Sequence, residues 1–162
     1  MLSTTFAHQI TLQMAKTIEQ VIQQKQFQNA QQKATLGLII AGNSLVAKHN
    51  SFVKQNDITI QQYNVLRILR GNYPNPCTIL TIKERMIDRK SDVSRIVERL
   101  RKSGLIVRNA CAEDRRAVDV VISEKGLALL NQLDPGIKKL MQLGDLTDEE
   151  ANLLSSLIER IL

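Results

Sequence analysis

The chain has 162 residues, 43% of them hydrophobic and 23% charged, enough apolar content for one core of ordinary size and too short for two independent ones. Aromatics make up 3% with no Trp, so the interior has to be built from Leu, Ile, Val and Ala, and a helical scaffold is expected. Cys77 and Cys111 form no CxxC and have no neighbouring His, which points away from a disulfide framework or a zinc site and fits a reducing cytoplasm. The amino terminus lacks a basic region followed by an apolar run, and the apolar stretch from Leu38 to Ala47 is interrupted by Gly42, Asn43 and Ser44, so neither a signal peptide nor a membrane span is expected.

The net charge of +6 is unevenly placed: residues 61–120 hold 13 Lys and Arg against seven Asp and Glu, and ten of those 13 are Arg. Arginine's planar fork suits phosphate and guanine edges, so the candidate working surface is central and a polyanion is the partner to consider.

In chain order, Ile10, Met14, Ile18, Val21 and Ile22 recur at helical spacing within a Gln-rich segment, predicting one or two amphipathic helices. A second periodic stretch runs from Ala30 to Val53, with Gly37 and Gly42 inside it weakening its continuity. Thr59 with Gln62 forms a capping box, and Ile60, Tyr63, Leu66 and Leu69 share a face before Gly71. Asn72 to Pro76 reads as a loop, Thr78 as the cap of a brief helix with Ile79, Ile82 and Met86 inward, and Asp88 to Lys90 as a tight connection. Ser91 is expected to cap the next helix, whose Val93, Ile96, Val97 and Leu100 form an apolar stripe ended by Gly104. Leu105 to Asn109 and Val118 to Ile122 read as a hairpin with a charged tip; Ser123 opens another helix, Asp134-Pro135 a break and restart. Thr147 with Glu150 caps a last helix striped with Leu153, Leu154, Leu157, Ile158, Ile161 and Leu162.

Two short helices joined by a tight turn and followed by a hairpin make a winged helix-turn-helix pattern, helices at 78–103 and wing at 105–122. The second helix then turns Ser91, Arg95, Glu98 and Lys102 outward, with Ser94 and Arg99 at the edges. Arg95 is the expected base reader, because a guanidinium bonds guanine O6 and N7 together; Ser91 and Ser94 suit phosphate near the helix start. Arg115 and Arg116 at the hairpin tip suit a minor groove, with Asp114 restraining a guanidinium. The plainer reading of each is solvated surface charge.

The run from Ile58 to Leu130, with TIQQYNVLRIL, KSDVSRIVERLRKSGLIVR and EDRRAVDVVISEKGLALL, resembles the multiple-antibiotic-resistance regulator (MarR) family of bacterial transcription factors. That family's wing signature, D-x-R, an alternating strand and [ST]-x-x-G, is matched by Asp114, Arg116, Val120, Ile122, Ser123 and Gly126. The resemblance implies a mainly α fold with a small β-hairpin wing, in which residues 1–57 and 124–162 form a dimerisation region and residues 58–123 the DNA-binding lobe. It implies a homodimer on a palindrome of double-stranded DNA, acting as a repressor in the bacterial cytoplasm. It also implies release by a small aromatic acid or phenol, with His49, Phe52 and Tyr63 in the matching stretches; an aromatic at helical spacing equally suits a core. Ser91, Ser94, Arg95, Arg99 and Lys102 would enter the major groove and Asp114, Arg115 and Arg116 serve the wing. The peroxide sensors' reactive Cys and the zinc sensors' ligand cluster are not matched, and no cofactor, metal or membrane is expected; Cys111 in the wing and Cys77 before a helix are the candidate thiols. An enzyme is disfavoured, since the chain has no Gly-rich phosphate loop, GxSxG or HExxH. A winged helix used for protein contacts is the alternative.

Overall fold

The computed structural model describes residues 16–110 and 118–162; Ile10 and Met14 lie outside them. Seven helices and three strands are found among the described residues: α1 (Ile18–Ile22), α2 (Ala30–Lys54), α3 (Ile60–Arg70), β1 (Cys77–Thr78), α4 (Ile79–Arg85), α5 (Val93–Lys102), β2 (Ile106–Ala110), β3 (Val118–Ile122), α6 (Glu124–Leu140) and α7 (Asp148–Glu159). The expected mainly helical class with a small sheet is what the chain adopts. No helix among the described residues is long and apolar enough to cross a membrane.

The chain divides into two compact units, Met1–Ser44 and Leu45–Leu162. In the first, Thr17 and Gln20 cap α1 reciprocally, and Lys33 reaches Glu19 at 2.6 Å. Gly37 is explained here, since a Cβ at that position would stand 2.8 Å from Ile18 Cδ1. Both glycines expected to weaken α2 are accommodated in one helix, though nothing in the structure explains Gly42.

The second unit contains the core. Thr59 accepts from the Gln62 amide while the Gln62 side chain accepts from the Thr59 amide, as the capping box predicts, and α3 then buries Tyr63, Val65, Leu66, Ile68 and Leu69. Against it pack Ile82, Val93, Val97, Leu100, Ile106, Val120, Ile122, Leu130 and Leu133. Leu66, Leu100 and Leu130 are fully buried, and truncating a side chain so placed to Ala costs about 2–5 kcal/mol.

The hairpin is joined by a third strand that the sequence reading did not include. β1 pairs antiparallel with β3 through Cys77↔Val120 and Thr78↔Asp119, and β3 pairs with β2 from Ile106↔Ile122 to Ala110↔Val118, giving the order β1-β3-β2. Two residues are too few to show an alternation. Cys77 is thereby buried, and burial pushes its thiol up, opposite to the lowering that a helix start suggests.

The break expected at Asp134-Pro135 does not form. α6 continues through Pro135, although proline removes one backbone donor and crowds the preceding turn. Contacts on both sides of it hold the helix: Leu133 and Ile137 are buried, a Cβ on Gly136 would run into the Phe52 ring, and Asp134 takes two bonds from Arg70 at 2.7 and 3.0 Å. The Arg70 guanidinium holds the Asp134 carboxyl below the usual aspartate range.

Candidate nucleic-acid interface

The turn between α4 and α5 is organised by Asp88, which accepts from the Lys90 amide at 3.0 Å and from the Ser91 hydroxyl at 3.1 Å. Asn64 of α3 accepts from the Ile87 amide at 3.1 Å, fixing the turn to the core helix. With Ser91 engaged this way, the cap of α5 is Asp92, whose carboxylate accepts from the Arg95 amide at 3.0 Å. The expected Ser91 cap is therefore corrected by one residue: Asp and Ser are comparable caps, and Asp88 decides between them.

From that cap the predicted faces of α5 follow. Val93, Val97 and Leu100 are buried and Ile96 half-buried, while Ser94, Arg95, Arg99 and Lys102 are exposed and Ser91 is half-buried. Arg95, Arg99 and Lys102 stand at i, i+4 and i+7, one stripe on the outward side. No carboxylate among the described residues lies within ion-pairing distance of any of the three. Exposed Arg85, Arg89 and Lys90 before the helix extend the positive surface.

Glu98, which the wheel placed outward, is engaged. It accepts from Arg101 Nε at 3.0 Å and Nη2 at 2.8 Å, and Arg108 of β2 comes to 3.9 Å. The Arg101 hydrogen bonds hold its carboxyl below the usual glutamate range, and the charges of Lys102 and then Arg108 contribute further. Sequence reasoning missed Arg101 and Arg108. The i,i+3 spacing of Glu98 and Arg101 was the available signal; Arg108 becomes a neighbour only once the turn and strand are formed.

The end of α5 is tied to the start of α6. The Gly104 amide donates to the Arg101 carbonyl and that of Leu105 to Leu100, a helix stop requiring the left-handed φ of 71° that Gly104 adopts. Ser123 accepts from the Gly126 amide at 3.1 Å to cap α6 and donates to the Gly104 carbonyl at 2.8 Å, while Lys125 reaches the Ser103 carbonyl at 2.9 Å. Gly126 faces the Leu105 carbonyl oxygen so closely that no Cβ fits. This gives the S-x-x-G motif its physical reason.

The wing residues Asp114, Arg115 and Arg116, and Cys111 with them, lie outside the described residues. Of the candidate pocket residues, Tyr63 is a core side chain whose hydroxyl accepts from Arg67 at 3.2 Å. His49 and Phe52 are half-buried one turn apart on α2, His49 bonded to the Leu45 carbonyl at 2.8 Å and Phe52 seated on Gly136. None of the three lines the cavity of about 420 Å³ between Asn56–Ile58, the Ser103–Leu105 turn and α6.

A MarR family model matches residues 56–117. The crystal structure of a MarR transcription factor from Planctomyces limnophilus is 32% identical, with 83% of this chain aligned to 98% of that one at a TM-score of 0.64. The chain belongs to the MarR family. The HTH-type transcriptional regulator MhqR of Bacillus subtilis is 24% identical over 69% of this chain and 77% of its own length. The S. aureus MepR structure, determined as a DNA complex, shares the fold at 20% identity and a TM-score of 0.71, over 78% of this chain and 94% of its own. Like its MarR relatives, this chain is a transcriptional regulator of the winged helix-turn-helix type and not an enzyme.

Proposed function

We propose that this MarR protein is a dimeric repressor that binds a palindromic operator, with Ser94, Arg95, Arg99 and Lys102 of α5 in the major groove, Ser91 at the approaching backbone, and Asp114, Arg115 and Arg116 in the wing. The observation that carries the reading is the outward stripe of Arg95, Arg99 and Lys102, three cations left without a carboxylate partner among the described residues on a helix whose other face is locked into the core. Unpaired guanidinium and ammonium groups are what phosphates and guanine edges require.

Dimerisation is supported by apolar surface left open among the described residues. α7 contributes nothing to the buried core: Leu153 and Leu157 are 61% and 47% exposed, and Met141, Leu143 and Leu146 before it are exposed too. Residues 1–57 and 124–162 would supply the pairing surface of one intertwined domain, burying these groups in an isologous interface. Half-sites would then lie one DNA turn apart, ~34 Å. Release by a small aromatic acid or phenol near His49 and Phe52 completes the reading; the core position of Tyr63 argues against its direct participation.

Two substitutions test the assignment. Arg95→Ala should relax preference at one base-pair position by about 1–3 kcal/mol, whereas Lys102→Ala should weaken all duplexes alike and lower the salt slope by about one. Unchanged preference in Arg95→Ala would remove Arg95 from base reading. Duplex binding indifferent to ionic strength would favour a protein partner for the lobe.

A further inference from the structure

The flank of α5 beside the wing carries a charge cluster that the operator-binding stripe does not use. Glu98 is held by both prongs of the Arg101 fork, at 2.8 and 3.0 Å, and Arg108 Nη1 approaches the same carboxylate at 3.9 Å. Arg108 shares a strand face with buried Ile106, and its register partner Val120 is also buried, so its stem leaves the core side of β2 toward α5. Two guanidiniums thus converge on one oxyanion position. All three side chains are 36–47% exposed and open to a ligand from solvent.

A carboxylate and the two non-bridging oxygens of a phosphodiester offer an arginine fork the same edge. The place where Glu98 sits is therefore shaped for a phosphate, next to the unpaired stripe of Arg95, Arg99 and Lys102. We propose that Arg101 and Arg108 form a second backbone-phosphate site on duplex DNA and that Glu98 is its internal competitor. A phosphate displaces the carboxylate when DNA docks, and Glu98 thereby holds down affinity for DNA of any sequence. The exchange is easy because exposed ion pairs are weak, whereas a bound phosphate also releases condensed counterions. This inference rests on the DNA-binding reading above and extends it to residues that reading leaves out.

The test is a double-mutant cycle on the full chain, read as affinity for a random-sequence duplex about 30 base pairs long, room for two half-sites one turn apart, across a range of salt. Glu98→Gln, isosteric and exposed, should tighten binding about two- to fivefold, the scale of one exposed ion pair. Arg101→Ala with Arg108→Ala should weaken binding and lower the salt slope by about one, and in that background the gain from Glu98→Gln should fall to the smaller part owed to Lys102, whose charge also acts on Glu98. No gain from Glu98→Gln in the native background overturns the proposal, a result independent of whether the arginine variant folds. An equal gain in both backgrounds overturns it as well, reducing Glu98 to plain repulsion, as does an unaltered salt slope without the two arginines. If the unsubstituted protein shows no salt-dependent duplex binding, the operator-binding reading fails and this inference falls with it; duplex binding without the Glu98 coupling defeats the inference alone.

Discussion

Gly126 decides how the end of α5 meets α6. Its α-carbon lies against the Leu105 carbonyl oxygen and the Ile122 side chain, while its amide is held by Ser123, itself bonded to the Gly104 carbonyl. A methyl group there has to displace backbone, and overpacking of that kind costs about 1–3 kcal/mol. Gly126→Ala is therefore expected to lower the midpoint of thermal unfolding by several degrees, since ~1 kcal/mol shifts a domain of this size by about 2–4 °C. An unchanged midpoint would mean that α6 shifts freely relative to Leu105 and the end of β3. By contrast, Gly42 has open space around it and tolerates Ala sterically.

At the scale of elements, what the sequence made legible was what local chemistry decides. Thr59 with Gln62 and Thr147 with Glu150 are capping boxes in the structure because each needs only a side chain and an amide three residues apart. The stripe of α5 follows in the same way from a period of 3.6. Where a distant group intervenes, local reading fails. Pro135 sits inside α6 because the Arg70–Asp134 pair and the Phe52–Gly136 contact flank it, 64 and 84 residues away in the chain. The cap of α5 moves to Asp92 because Asp88 claims Ser91. This second correction is open to a direct comparison: Asp92→Ala should cost about 1 kcal/mol, the usual penalty for a lost N-cap, and Ser91→Ala less than half of that. Denaturant midpoints for the two variants check it, and the reverse order would restore Ser91 as the cap.

For the whole molecule, the outward cations of α5 were readable from the wheel, whereas the competition at Glu98 was not, since Arg108 reaches it only after the strand folds back. Leu153, Leu157 and Ile161 on and after α7 were likewise visible as an apolar stripe, and it stays exposed among the described residues. If two copies cover that stripe, Leu153→Glu with Leu157→Glu should convert a dimer to a monomer in sedimentation equilibrium, because each copy would bury charges without partners. A dimer that survives both substitutions would place the interface elsewhere. Operator reading by α5 is tested most directly by letting the purified protein select fragments of its source genome at about physiological salt, where non-specific affinity is only ~10⁻⁴ to 10⁻⁶ M. Enrichment of one short palindrome, lost when Arg95, Arg99 and Lys102 are all replaced by Ala, is the expected result. Selection of no sequence above background would contradict an operator-reading α5.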